Sequence, residues 1–331
     1  LTRPTNISTS GGTSFSVSDN GMLVWQGDRS HDYQFVWFDR AGRQVGTAGP
    51  PTRTRVGQGP RFSTDGKRVV FQRVDPESRE MDIWVIDSAS NLPTRLATER
   101  GFKSSPIWSP DGSRVVYGGR YDLYQKNASG VGAVEVVLKG ETNEWNYAPT
   151  DWTPDGRFLL YSRFARKTQR DMLALPMTSV AQPYPLLNTE FDEHRAQLSP
   201  DGAYLAYVSN ELGSNEIYVQ PFTADGKLGG DKRRISTAGG DQPRWRRDGR
   251  ELFYVAADGR MMAVGVKTNG ATFEPGTPTA LFKTRMLSAT VQSSIDYDVT
   301  ADGQRFLIGT LIGEATPVSV ILNWTAEVKP K

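Results

Sequence analysis

Seven times this chain writes nearly the same hairpin: a hydrophobic residue, a Ser or Thr, Asp-Gly or Asn-Gly, then a run of β-formers. The copies centre on Asn20-Gly21, Asp65-Gly66, Asp111-Gly112, Asp155-Gly156, Asp201-Gly202, Asp248-Gly249 and Asp302-Gly303, with glycine spacings of 45, 46, 44, 46, 47 and 54 residues. Glycine supplies the positive φ of a tight hairpin turn. A period of roughly 40–50 residues rich in short strands marks a propeller array. A length of 331 residues would otherwise suggest two domains. The unbroken repeat predicts one β-propeller domain over residues 1–331.

The second copy shows the expected blade. Pro60–Ser63 is a short inner strand, Thr64–Lys67 a turn, Arg68–Phe71 the return strand, Asp82–Asp87 a third strand and Thr94–Leu96 a fourth. Third strands of other copies are expected at Phe35–Phe38, Asp122–Tyr124, Met172–Leu175, Glu216–Val219, Met261–Val264 and Val318–Leu322. The residue before each Ser/Thr position is Val17, Phe62, Trp108, Trp152, Leu198, Trp245 or Val299. These large apolar groups are read as wedges between blades rather than as ligand-stacking groups. The last copy stops at its third strand, so Asn6–Thr9 is expected to supply its missing outer strand. The predicted fold is all-β: a seven-bladed propeller of four-stranded antiparallel blades, closed by an N-terminal strand that removes an open edge.

Ser109-Pro110-Asp111-Gly112, Thr153-Pro154-Asp155-Gly156 and Ser199-Pro200-Asp201-Gly202 resemble the signature of WD40-like PD40 repeats, those of TolB-like propellers. The resemblance covers essentially the whole chain. Asn20 and Arg246 depart from the pattern, and three copies carry the proline. The TolB propeller is six-bladed, one fewer than the copies here. Similar repeats occur in prolyl oligopeptidase-type enzymes and in the sensor-like propellers of some bacterial membrane-bound Ser/Thr kinases. The resemblance implies a propeller fold and leaves function open.

Composition narrows the classes. A net charge of +2 is too small to suggest a nucleic-acid surface. There are no cysteines, which rules out disulfides and thiolate catalysis. No apolar run of about 18 residues exists to insert in a membrane. The first residue is Leu1 rather than Met, so the chain is expected to be part of a longer protein. An extracytoplasmic, periplasmic setting is expected, with the cytoplasm as the alternative, and a monomer is expected.

Catalytic constellations are sparse. No nucleophile-elbow GxSxG is present. Only His31 and His194 could serve a triad, and His31 reads as a solvated residue of the loop at residues 27–32. Two histidines cannot form the multi-histidine cluster of propeller lyases, and no cofactor or metal is expected. Asp296-Tyr297-Asp298 puts alternating carboxylates on one strand face, read as solvated or ion-paired. Arg163–Arg170, Lys232–Arg234 and Arg244–Arg247 read as rim charges split between strand faces.

The connections before the fourth and fifth inner strands, residues 141–147 and 190–195, carry exposed-looking aromatics and carboxylates. Such connections gather round one mouth of a propeller's channel. The candidate binding residues are therefore Trp145, Tyr147, Asp151, His194, Arg195 and Asp241, with packing onto a neighbouring blade as the structural alternative. Glu144, Asp192 and Glu193 would make that mouth acidic and favour a basic partner. The functional expectation is a non-catalytic module binding a protein or peptide. The alternatives are a sensor domain of a larger signalling protein, such as a membrane-bound Ser/Thr kinase, and a lyase or hydrolase with its site in the channel.

Overall fold

In a computed structural model of the protein, the described residues are 5–8, 14–18, 22–26, 31–54, 59–75, 78, 80–141, 145–178, 182–269, 272–286, 296–312 and 318–322. They are all strand, turn and loop, and fall in two compact units. The larger lies within residues 34–50 and 56–310. The smaller lies within 1–33, 51–55 and 311–331.

The larger unit carries six blades, each given from its innermost strand; the strand ends of the sixth at 31–33, 51–54 and 311–312 fall in the residue ranges of the smaller unit. Blade 1 runs Arg61–Phe62, Arg68–Val74, Met81–Asp87 and Pro93–Ala97. Blade 2 runs Ser104–Trp108, Arg114–Gly118, Leu123–Asn127 and Glu135–Leu138. Blade 3 runs Trp145–Trp152, Phe158–Ala165, Gln169–Pro176 and Tyr184–Leu187. Blade 4 runs Glu193–Leu198, Tyr204–Ser209, Glu216–Pro221 and Arg233–Arg234. Blade 5 runs Gly240–Trp245, Glu251–Ala256 and Arg260–Asn269; that last strand pairs with both Thr272–Pro275 and Thr279–Lys283. Blade 6 joins Tyr297–Val299 and Arg305–Ile312 to His31–Asp39 and Gln44–Thr54.

The ring thus has six blades, not the seven expected. Thr5–Ser8 does not complete the last blade. It pairs with Ser14–Val17 in a separate sheet, whose other strands are Met22–Gln26 and Val318–Leu322. Phe35–Phe38, expected as third strand of the first copy, is third strand of the last blade instead. Val318–Leu322, expected in the last blade, pairs with Met22–Gln26. A hairpin signal fixes local antiparallel pairing and nothing about which blade the hairpin joins. His31–Asp39 offers nine residues to that blade where Thr5–Ser8 offers four, hence more ladder hydrogen bonds. Asn20 and Gly21 lie outside the described residues.

The turn motif has a hydrogen-bonded reason. Gly66, Gly112, Gly156, Gly202, Gly249 and Gly303 all have φ between 68° and 77°. In five turns the Ser or Thr hydroxyl donates to the Asp carboxylate, as in Thr153 Oγ1 to Asp155 Oδ1 at 2.7 Å. It also accepts the N–H that opens the return strand, as from Arg114 N at 2.9 Å. In blade 5 Arg246 stands in that place and donates to Asp248 at 2.6 Å, so the departing copy keeps a tie to its turn.

Apolar cores lie between neighbouring blades. Trp108 packs with Val70, Ile83, Val115 and Tyr117 across blades 1 and 2. Trp152, Leu198, Trp245 and Val299 occupy the same place at the next four boundaries. Buried amides and amide side chains add ties: Ser105 N to Gln72 Oε1 at 2.9 Å, Trp245 N to Gln197 Oε1 at 2.9 Å, and Asp296 N to Gln242 Oε1 at 2.8 Å. Phe62 N donates to Asp298 Oδ2 at 2.8 Å, which joins blade 6 to blade 1 and shuts the ring.

Candidate functional site

The innermost strands surround the ring's channel. Each wedge residue packs toward one neighbouring blade, and strand alternation turns the residue before it to the opposite face of its sheet. Those residues are Arg61, Ile107, Asp151, Gln197, Arg244 and Asp298. Arg61 Nη2 reaches the Thr150 carbonyl, two blades away, at 3.0 Å. Arg244 Nε lies 3.6 Å from Asp298 Oδ1. Burial holds the Arg61 guanidinium below its ordinary range and raises the Asp151 carboxyl. Arg244 is fully buried; that burial, and next the nearness of Arg61, lowers it to about 9.

The channel opens at the Asp-Gly hairpins into a cavity of about 780 Å³. Its apolar wall includes Trp37, Phe62, Leu198, Val299, Pro154 and Pro200, with Asp151 and Gln197 below and Arg247 and Arg305 at the rim. Trp37 stacks on Phe62 at 5.6 Å, and the Arg305 guanidinium lies 5.1 Å from the Trp37 ring. Arg247 crosses this mouth and donates to the Thr64 carbonyl.

The six sequence-level candidates separate. Trp145 opens the inner strand of blade 3, its backbone opposite Phe164, and its side chain lies outside the description. Tyr147 is 2% exposed and stacks on Tyr161 at 5.7 Å in the core between blades 2 and 3. Asp151 accepts from Trp152 N at 2.8 Å and from Leu198 N at 2.7 Å, bridging blades 3 and 4. His194, Arg195 and Asp241 do come together on neighbouring inner strands. Arg195 pairs with Asp241, and His194 Nε2 lies 3.9 Å from the same carboxylate. All three are buried. The expected acidity of this mouth is neutralised: Asp192 accepts from Arg170 Nε at 2.7 Å, Asp241 is held by Arg195, and Glu193 is buried. Glu144 lies outside the described residues. His31 begins a strand rather than sitting in a loop, and its side chain lies outside the description.

Burial, and next the Arg170 charge, push His194 down from 6.5 to about 3. The native imidazole is neutral and a poor base near pH 7. Below pH 6.5 the unfolded chain gains a proton that the native protein refuses, so this depressed pKa costs stability progressively from about pH 6.5 toward pH 3. His194→Gln should therefore flatten the pH dependence of the urea midpoint between pH 7 and pH 4. Parallel curves for the two proteins would contradict this.

Sequence reasoning missed Arg61, Arg244 and Asp298 as one cluster of charged groups on the inner strands. The signal was present: five of the six residues preceding a wedge position are polar or charged, in one repeat register. Among the described residues no group of three or more His, Asp and Glu is arranged to hold a metal ion, and no helix is long and apolar enough to cross a membrane.

Comparison with known proteins agrees with this architecture. A family model described as the TolB beta propeller domain, PD40, matches residues 52–194. The chain is similar to a candidate TolB from Agrobacterium tumefaciens at 18% identity and a TM-score of 0.61, over 86% of this chain and 100% of that one. It is similar to TolB from Acinetobacter baumannii at 18% identity and a TM-score of 0.52, over 92% and 79%. A puromycin-hydrolyzing peptidase from Mycobacterium tuberculosis is similar at 17% identity and a TM-score of 0.56, over 77% of this chain and 43% of that one. At these identities the solved structures show a shared propeller fold.

Proposed function

We propose that this chain, whose residues 52–194 match the PD40 TolB beta propeller model and which shares the TolB propeller fold, is a non-catalytic module that binds a protein or peptide segment. The observation that carries this reading is the hairpin mouth, where a cavity of about 780 Å³ has an apolar wall, a polar floor and arginines at its rim. A few aromatic and arginine anchors around a pocket supply most of the energy in protein recognition. The mouth first favoured from sequence is less suited, because Tyr147, His194, Arg195 and Asp241 are buried and spent on one another or on the core. An extracytoplasmic setting goes with this reading, supported by the TolB resemblance.

An enzymatic reading has less support. The one histidine with a described side chain is buried, and its pKa of about 3 makes it a poor general base. The test is peptide-display selection on the immobilised protein, followed by affinity measurements on two variants. Ala301→Trp, at an exposed lining position of the hairpin mouth, should weaken selected peptides by about tenfold or more, since blocking one anchor pocket costs at least about 1.4 kcal/mol. Phe102→Ala, on the connection before blade 2, should leave them unchanged. Peptides indifferent to Ala301→Trp would overturn the proposal.

A further inference from the structure

The floor beneath the hairpin mouth has more committed acceptors than committed donors. Asp151 Oδ1 takes the N–H of Trp152 at 2.8 Å, and Oδ2 that of Leu198 at 2.7 Å. Asp298 Oδ1 takes the N–H of Val299 at 2.9 Å, and Oδ2 that of Phe62 at 2.8 Å. Every oxygen of both carboxylates already holds a backbone amide, and those amides fasten the ring. Facing them are two guanidiniums. Arg61 gives Nη2 to the Thr150 carbonyl. Arg244 gives Nη1 to the Pro243 carbonyl at 2.8 Å. Its Nε and Nη2 are buried and have no hydrogen-bond acceptor among the described residues, Asp298 standing at 3.6 Å.

The Nε–Nη2 edge of a guanidinium is the fork that takes a carboxylate side-on through two parallel hydrogen bonds. A buried donor without an acceptor is costly, and native proteins rarely keep one unless something fills it. Arg61, Asp298, Asp151 and Gln197 line a cavity of about 410 Å³ that reaches the hairpin mouth between Thr64, Pro110 and Pro154; Arg244, fully buried, is next to this lining through Asp298 and not part of it.

We propose that the Arg244–Arg61 floor of the channel is a binding site for a carboxylate group that enters by the hairpin mouth. The inference deepens the binding function proposed above and rests on the hairpin mouth being the binding face. The carboxylate is that of a small organic acid, of an acidic side chain or of a peptide C-terminus; the chemistry recognised is the same. The low pKa of Arg244 fits this account, because burial and the nearby Arg61 both press on a cation that a bound anion would relieve.

The test is an NMR titration of the folded, ¹⁵N-labelled chain, following the Nε–H signal of Arg244, which is assigned by its loss in Arg244→Lys. Sodium acetate and N-acetylglycine are compared with sodium chloride and sodium phosphate at constant ionic strength. A saturable shift with acetate and N-acetylglycine, absent with chloride, supports the site. No saturable shift, an equal response to chloride, or a response to phosphate alone overturns it. Arg61→Gln, which leaves Arg244 in place, should weaken acetate by about tenfold, as expected for losing one charge-assisted partner. Unchanged acetate affinity in that folded variant would also count against the site. If acetate saturates while selected peptides ignore Ala301→Trp, the carboxylate site stands and the peptide-binding reading falls. If peptides need the mouth while acetate leaves Arg244 unmoved, the reverse holds.

Discussion

Replacing Gly118 by Ala should destabilise the ring by more than about 3 kcal/mol, beyond the usual 1–3 kcal/mol of an overpacked core. A Cβ on Gly118 would lie 1.7 Å from the Tyr147 carbonyl oxygen. That atom is backbone, so relief requires blades 2 and 3 to move apart, and with them Ile107, Val116, Tyr147 and Trp152 of their shared core. Gly66 makes the contrast. A Cβ there meets nothing within 4 Å, and its φ of 69° is the only penalty, about 1–2 kcal/mol for a residue forced into the left-handed region. Urea unfolding of Gly118→Ala and Gly66→Ala side by side checks the ranking. A cost for Gly118→Ala no larger than that for Gly66→Ala would contradict the close approach of the two blades.

Asp298→Ala should cost about 3–5 kcal/mol, the range for removing one partner from a buried charged pair. The substitution strips acceptors from Phe62 N and Val299 N and leaves Arg244 without its nearest carboxylate. Asp298→Asn keeps one carbonyl oxygen and should cost less. Equal losses for the two variants in denaturant unfolding would show that the hydrogen bond across the blade 6–blade 1 boundary carries little of the effect.

Much of this architecture was legible in the repeats, for a local reason. Asp-Gly turns, wedge residues such as Trp108 and Trp245, and third strands such as Met81–Asp87 are short-range features that recur in one register. The blade count was not legible. The Asn20-Gly21 copy has the same local signal as the six within the ring, and its strands pair elsewhere. What separates them is a choice between long-range partners, which spacing does not encode.

The site was harder still. Asp296 and Asp298 were visible as alternating carboxylates and read as solvated or ion-paired; both are buried and not solvated, while Asp298 does face Arg244 at 3.6 Å and also fastens the ring. Arg244 looked like one charge in a rim patch, whereas it is fully buried and its neighbour Arg247 is exposed. Tyr147 was a binding candidate with packing onto a neighbouring blade as its alternative, and the alternative holds: it lies in the core beside Gly118. Burial depends on which blade stands opposite, and that is settled only when the ring is closed.

Ring closure is therefore the claim on which the channel, its floor and its mouth depend. Hydrogen exchange followed by mass spectrometry tests it directly, because strands of one cooperative sheet open together. With His31–Asp39 as third strand of blade 6, amides of residues 33–38 should share the protection of residues 306–310 and lose it at the same denaturant concentration. Free exchange at residues 33–38, with residues 5–8 sharing the protection of 306–310 instead, would contradict the six-bladed ring.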